Sequence, residues 1–422
     1  LLPYRGLFIF DLPKKREGVF MKYIIILGDG MADRPIAALE GKTPLMAANM
    51  PNMDRMARAG KCGMFQSVPP DMPPGSEVAN LAVLGYDVRK VFEGRGVLEG
   101  ASMGVKIEDG DLAMRCNLLC VEDEKIKNHS AGHISTAEAH VLIDFLNEKL
   151  ADDRIRFYPG ISFRHLLVLK GGCNDLNFTP PHDVPGTAFR DVLIRPTSEK
   201  GEETAALLND LILKSQKLLS THEINKKRIM AGKDPANSVW FWSAGYKPKM
   251  ETLQEKFGIT GAAISAVDII KGLGIFAGMD VIEVAGTTGL TDTNYEGKAE
   301  AAIKALLDHD LVYLHVEATD EAGHAGDVDL KIKALEYLDQ RVVKYLLQET
   351  VKLKENITLA LLPDHATPCE VRTHTHDPVP FIIYNPLIKP DEVLEYNEES
   401  CQKGGFGLLS NDEFIRTLLG KI

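Results

Sequence analysis

Three stretches of the chain are nearly continuous apolar runs, and each runs into a carboxylate. Tyr23-Ile24-Ile25-Ile26-Leu27 ends in Gly28-Asp29-Gly30. Leu311-Val312-Tyr313-Leu314-His315-Val316 stops just before Asp320, and Thr358-Leu359-Ala360-Leu361-Leu362 stops just before Asp364-His365. Such runs predict strands buried on both faces of a parallel sheet. Ligands of open α/β sheets bind beyond the carboxyl ends of the strands, so the runs predict three acidic groups at one sheet edge. The first and last runs are far apart in the chain, so distant segments must build one sheet.

The middle of the chain has a different pattern. Ser135-Thr136-Ala137-Glu138 predicts a capped helix with Ala139, Leu142, Ile143 and Leu146 on one face. Arg164–Leu169 and Ser238–Trp242 predict further strands, so this stretch forms an α/β or α+β unit. A proline-rich loop at 68–75 leads to Ser76, and there are no internal repeats.

The 422 residues exceed the roughly 250–300 at which one hydrophobic core stops growing, so two domains are expected. The 45% hydrophobic and 26% charged fractions are those of a globular protein. A net charge of −12 argues against a nucleic-acid partner but leaves room for a small anionic substrate at a locally positive site. Six scattered cysteines predict a reduced, cytoplasmic protein, and Cys116 and Cys120 lack the second pair a zinc site needs. No apolar run reaches the ~18–20 residues that span a bilayer. Residues 1–20 lack a signal-peptide pattern, and Met21 is the expected working start.

Candidate chemistry sits at the strand ends. Asp320 and His324 share one face of a helical turn, as two ligands of one ion require, although a solvated helix pair has the same spacing. Asp364-His365 can bind together only from an irregular loop, and the dipeptide is also common in turns. Either His374 or His376 could join them. Asp29 ends a buried run and needs compensation for its charge. Mixed Asp and His donors suit Mn²⁺ or Zn²⁺ better than Ca²⁺. Ser76, in Pro74-Gly75-Ser76-Glu77, has no triad or nucleophile elbow around it, so a metal is the better activator, although a helix N-cap is the plain alternative.

The ordered set Gly-Asp-Gly, Gly-Ser-Glu-Val, Thr-Asp-Glu-Ala-Gly-His, Pro-Asp-His and His-Thr-His-Asp-Pro-Val-Pro resembles the cofactor-independent phosphoglycerate mutases of the archaeal branch, within the alkaline phosphatase superfamily. The resemblance implies an alkaline-phosphatase-like, mostly parallel sheet flanked by helices and interrupted by a smaller inserted domain. The expected organisation is an extension at 1–20, a discontinuous metal-binding domain at 21–95 and 246–422, and a substrate-binding domain at 96–245. Gly94, Gly96, Gly100, Gly245 and Pro248 are candidate hinges.

The resemblance assigns Asp320, His324 and His374 to one divalent metal, choosing His374 over His376. It assigns Asp29, Asp364 and His365 to the other, with Ser76 as the serine that is phosphorylated. Mn²⁺ is the expected ion, with Zn²⁺, Co²⁺ and Mg²⁺ as alternatives. His129 matches a histidine near the phosphoryl group, and Arg164, Arg228 and Asn237 are candidates to grip the substrate, a small phosphorylated metabolite. The implied reaction interconverts 3- and 2-phosphoglycerate. Phosphotransfer to homoserine and simple phosphatase activity are the alternatives, and a non-catalytic binding protein would have no use for Ser76.

Overall fold

The computed structural model describes residues 21–353 and 355–421, so the expectation for residues 1–20 lies outside the described residues. In chain order the strands are β1 (Met21–Gly28), β2 (Lys61–Gln66), β3 (Asp111–Glu122), β4 (Lys125–Asn128), β5 (Ile155–Tyr158), β6 (Arg164–Lys170), β7 (Leu176–Asn177) and β8 (Arg195–Pro196). They continue as β9 (Ser238–Gly245), β10 (Gly261–Ile264), β11 (Asp280–Val281), β12 (Leu311–Val316), β13 (Asn356–Leu362), β14 (Val379–Tyr384) and β15 (Leu408–Ser410).

An eight-stranded sheet runs β11-β10-β12-β1-β13-β14-β2-β15, with only β14 antiparallel to its neighbours. The continuous apolar runs follow from this position. Tyr23, Ile25 and Leu27 of β1 enter the core on one face, and Ile24 and Ile26 enter the core on the other. The predicted fold class, a mostly parallel sheet flanked by helices, is the one observed. Leu27 pairs with both His315 and Leu362, so β1, β12 and β13 end side by side and release their acidic residues together.

Strands β3 to β6 and β9 form a separate five-stranded antiparallel sheet. One face packs against the helix Thr136–Leu150, whose buried residues are the predicted Ala139, Leu142, Ile143 and Leu146. Ala113, Leu166 and Val168 lie on the other face and join the core of the large sheet. The helix Arg95–Ser102 lies between the two units. A Cβ on its Gly96 would sit 2.6 Å from Met114 Cα, and a Cβ on Gly272 of the helix Asp268–Phe276 would sit 1.9 Å from the Leu98 carbonyl oxygen. Gly96 and Gly100 therefore serve close packing inside a helix, which corrects their expected part as loop hinges.

Candidate metal centre

Asp29 follows β1 directly, 1% exposed, and its amide donates to the Val316 carbonyl. Gly30 then turns in the left-handed region at φ 62, donating its N–H to Asp364 Oδ1 at 3.2 Å. Asp320 lies in the first turn and His324 in the last turn of the helix Ala318–Ala325, with His324 Nε2 3.2 Å from Asp320 Oδ2. His374 brings its Nε2 to 3.0 Å from His324 Nε2 and 3.5 Å from Asp320 Oδ1. His376 points elsewhere, its Nε2 2.8 Å from the Met72 carbonyl. Asp364 and His365 are fully buried, and His365 Nε2 lies 3.4 Å from both Asp29 Oδ1 and Asp364 Oδ2.

Ser76 is the first residue of the helix Ser76–Val83, whose N-cap is Gly75. Its hydroxyl is thus not used in capping; Oγ lies 3.1 Å from His365 Nε2. Asn80, one turn on, donates to the Ser76 carbonyl at 2.7 Å and to Asp364 Oδ2 at 2.8 Å, which locks the serine to the metal loop.

The tightest groupings differ from the expected division. Asp320, His365 and His374 form one set and Asp29, His315 and Asp364 the other, each with donor atoms within 4.8 Å of one another. His365 stands between the two. His315 was not singled out from the sequence, where it is one polar residue inside an apolar strand. Its Nε2 lies 3.0 Å from Asp29 Oδ2 and its Nδ1 3.2 Å from Ser265 Oγ. Burial pushes its pKa down to about 3, so the ring is neutral and able to orient a carboxylate or offer a lone pair.

The electrostatics fit cations. Burial, and then Asp364 and Asp320, push the Asp29 carboxyl well above its usual range. Burial opposes ionisation of Asp320 too, but His324 and His374 outweigh it and hold the group well below the usual range. Asp320 in turn raises His324 to about 9. Among the described residues no lysine or arginine pairs with Asp29, Asp320 or Asp364, and Asp29 Oδ1 is buried with no hydrogen-bond partner. Buried carboxylates without lysine or arginine partners, interleaved with imidazoles, are a donor set for divalent metals.

A cleft of about 700 Å³ between the two units is lined by Arg95, Glu99, Arg115, Arg164, Glu317 and Glu321, among others. Arg95 Nε bonds Glu77 Oε1 at 2.9 Å, next to Ser76 in sequence. Arg115 pairs with Glu99 at 2.7 Å and lies 4.3 Å from the Trp242 ring. Arg115 and Arg164 also line a smaller cavity of about 150 Å³ with Asn117, His129, His182 and Trp242. A further cavity of about 710 Å³, lined by Asp33, Arg34, Thr43 and Glu398 among others, contains none of the candidate metal ligands.

His129 and Arg164 thus face the cavity, but two other substrate candidates do not. Arg228 is 4% exposed, and its guanidinium is used on Glu138, the Asp234 carbonyl and the Ala131 carbonyl. The Asn237 side chain spans the Val121 amide and carbonyl. Both fasten the small unit internally, which corrects their assignment to the substrate. Arg95 and Arg115 are the cleft cations the sequence reading missed.

A family model for 2,3-bisphosphoglycerate-independent phosphoglycerate mutase matches residues 57–225. A protein of that name from Methanosarcina acetivorans is 50% identical over 404 residues, covering 94% of this chain and 100% of its own. A Geobacter sulfurreducens protein, named as a probable enzyme of the same kind, is 46% identical and covers 91% of this chain and 96% of its own. Among solved structures, one from Pyrococcus horikoshii aligns with a TM-score of 0.82 at 29% identity, covering 96% of this chain and 99% of that one. A cofactor-independent phosphoglycerate mutase from Thermoplasma acidophilum aligns at 0.68 and 28% identity, covering 94% and 99%.

Proposed function

Because the chain belongs to the 2,3-bisphosphoglycerate-independent phosphoglycerate mutases and so interconverts 3- and 2-phosphoglycerate, we propose that Ser76 carries the phosphoryl group between the two positions. The observation that supports this is the Ser76 hydroxyl, 3.1 Å from His365 Nε2 within the cluster of Asp29, Asp320, His324, Asp364 and His374. These six side chains and Ser76 would hold two divalent ions, Mn²⁺ by preference for the mixed nitrogen and oxygen donors, with Zn²⁺, Co²⁺ and Mg²⁺ as alternatives. Such ions, when bound, polarise the phosphoryl oxygens and lower the pKa of the serine hydroxyl.

The chain's own residues do the rest. Ser76 Oγ attacks phosphorus as the bond to the glycerate oxygen breaks, and the proton Ser76 gives up is the one that oxygen gains, taken up and passed on by His129. Burial, with His182 and His133 nearby, holds the His129 pKa down, so the ring enters neutral and can pass a proton in either direction. Glycerate then reorients. Its other hydroxyl attacks phosphorus as the Ser76 bond breaks, and the proton it loses to His129 returns to Ser76 Oγ. Arg164 and Arg115 hold the glycerate carboxylate, and Arg95 stands toward the phosphate. The unit at 96–245 closes on the unit at 21–95 and 246–422 to keep water from the phosphoserine, since hydrolysis would make the enzyme a phosphatase.

Among the described residues no helix is long and apolar enough to cross a membrane, and a cytoplasmic place of work is our reading from the six free cysteines. Purified protein with Mn²⁺ should convert 3-phosphoglycerate to 2-phosphoglycerate by ³¹P NMR. Inorganic phosphate as the main product would point to the phosphatase, and phosphohomoserine from homoserine and a phosphoryl donor to the kinase.

A further inference from the structure

One buried side chain touches two of the proposed cation ligands of one set, Asp320 and His365, without being a ligand itself. Thr367 is 0% exposed, and its Oγ1 lies 2.5 Å from Asp320 Oδ1 and 3.2 Å from His365 Nδ1. A hydroxyl has one proton to give, and a carboxylate can only accept, so the threonine proton points at Asp320. The lone pairs of Oγ1 then face His365 Nδ1, which must carry the ring proton. The sequence of donation is His365 Nδ1–H to Thr367 Oγ1, and Thr367 O–H to Asp320 Oδ1. It leaves His365 Nε2 with a free lone pair, on the side that faces Ser76 Oγ at 3.1 Å and Asp29 and Asp364 at 3.4 Å.

The surroundings hold this hydroxyl in place. The Thr367 amide donates to the Ala32 carbonyl at 3.2 Å, and its carbonyl accepts Lys331 Nζ at 2.8 Å. Two glycines make room for it. A Cβ at Gly30 would sit 2.6 Å from Thr367 Oγ1 and 2.7 Å from Asp320 Oδ1, and a Cβ at Gly323 would sit 2.4 Å from the Thr367 carbonyl oxygen. The loop after β1 and the helix Ala318–Ala325 can approach the loop after β13 only because both positions lack a side chain.

We infer that Thr367 is a positioning residue for the cation set of Asp320, His365 and His374, setting the ring tautomer of His365 and the orientation of Asp320 through one hydroxyl. The inference rests on the two-metal reading of the Ser76 site. A partner that orients a metal ligand in this way is worth about ten- to a hundredfold in metal affinity. Because one hydroxyl serves two ligands of that set, its loss must weaken cation binding there.

The test is calorimetric titration of Mn²⁺ into metal-free wild type, Thr367→Val and Thr367→Ser, alongside ¹⁵N-histidine NMR of the metal-free wild type. Valine keeps the volume and removes the hydroxyl; serine keeps the hydroxyl. At least one Mn²⁺ binding step should weaken about ten- to a hundredfold in Thr367→Val and recover in Thr367→Ser. The NMR should place the His365 proton on Nδ1. Wild-type affinity at every step in Thr367→Val, or a His365 proton on Nε2, overturns the inference. The NMR result needs no variant to fold. Failure of the wild type itself to take up Mn²⁺ would instead overturn the two-metal reading and this inference with it.

Discussion

Replacing Lys331 with methionine should cost more stability than almost any other single change in the metal-binding unit. Lys331 and Asp33 form an ion pair of 2.8 Å with side chains 0% and 1% exposed. The ammonium also donates to the carbonyls of Thr367 at 2.8 Å and Ala32 at 3.2 Å, so three acceptors depend on it. Methionine fills the space of the lysine stem but leaves the Asp33 carboxylate in the interior, with the Cys369 amide at 3.1 Å and its neighbour Arg34's amide at 2.8 Å as its remaining donors. Breaking a buried pair from one side costs about 3–5 kcal/mol. That is a large share of the ~5–15 kcal/mol that holds a typical protein folded. Urea denaturation of the metal-free protein, followed by circular dichroism, measures the loss. The double variant Asp33→Asn/Lys331→Met removes both charges and should be more stable than the sum of the two single losses by about 1–3 kcal/mol. A loss below about 1 kcal/mol in Lys331→Met, where a buried pair demands several, or strict additivity in the double variant, would refute the reasoning.

Other outcomes follow from the same structure. His324, raised to about 9 by Asp320, must lose its proton to ligate. A raised pKa stabilises the metal-free fold fully below the free value of about 6.5 and loses that contribution as pH rises through about 9. Mn²⁺ affinity should therefore rise between pH 7 and pH 9, by up to about tenfold per unit for one displaced proton, and pH-independent affinity would count against His324 as a ligand. Gly272→Ala drives a methyl to 1.9 Å from the Leu98 carbonyl oxygen, so the helices at 95–102 and 268–276 must separate. A loss of about 1–3 kcal/mol in thermal melting is expected, and an unchanged midpoint would mean the helices do not touch as described. Arg228→Met should destabilise the small unit while leaving KM for 3-phosphoglycerate as it was. A raised KM with unaltered stability would return Arg228 to the substrate.

The parts of the fold that were legible in the sequence are those where one physical constraint acts alone. A strand buried on both faces has to be apolar throughout, so β1, β12 and β13 and their acidic ends could be read directly. His315 was hidden by the same rule, because a polar residue in such a strand carries no period of its own. Arg115 was hidden likewise inside β3, where Trp242 and Glu99 accommodate its charge. The opposite error produced Arg228 and Asn237. Residue type alone does not separate a side chain that faces a cleft from one that fastens a loop, and the difference lies in contacts from Glu138, Ala131 and Val121 that are distant in sequence. The pairing of ligands around His365 depends on loop geometry beyond β13, and spacing along the chain does not encode it. Gly96 and Gly100 look like hinge residues until the helix that contains them is placed against β3 and β6.

The central claim is that the phosphoryl group passes through Ser76. It is tested most directly by rapid acid quench of the Mn²⁺-loaded enzyme during turnover of 3-phosphoglycerate, followed by mass spectrometry of the peptide containing Ser76. Phosphorylated Ser76 should accumulate in the wild type, and Ser76→Ala should make no 2-phosphoglycerate while keeping its circular dichroism. Formation of 2-phosphoglycerate by Ser76→Ala at a rate near that of the wild type would contradict the account.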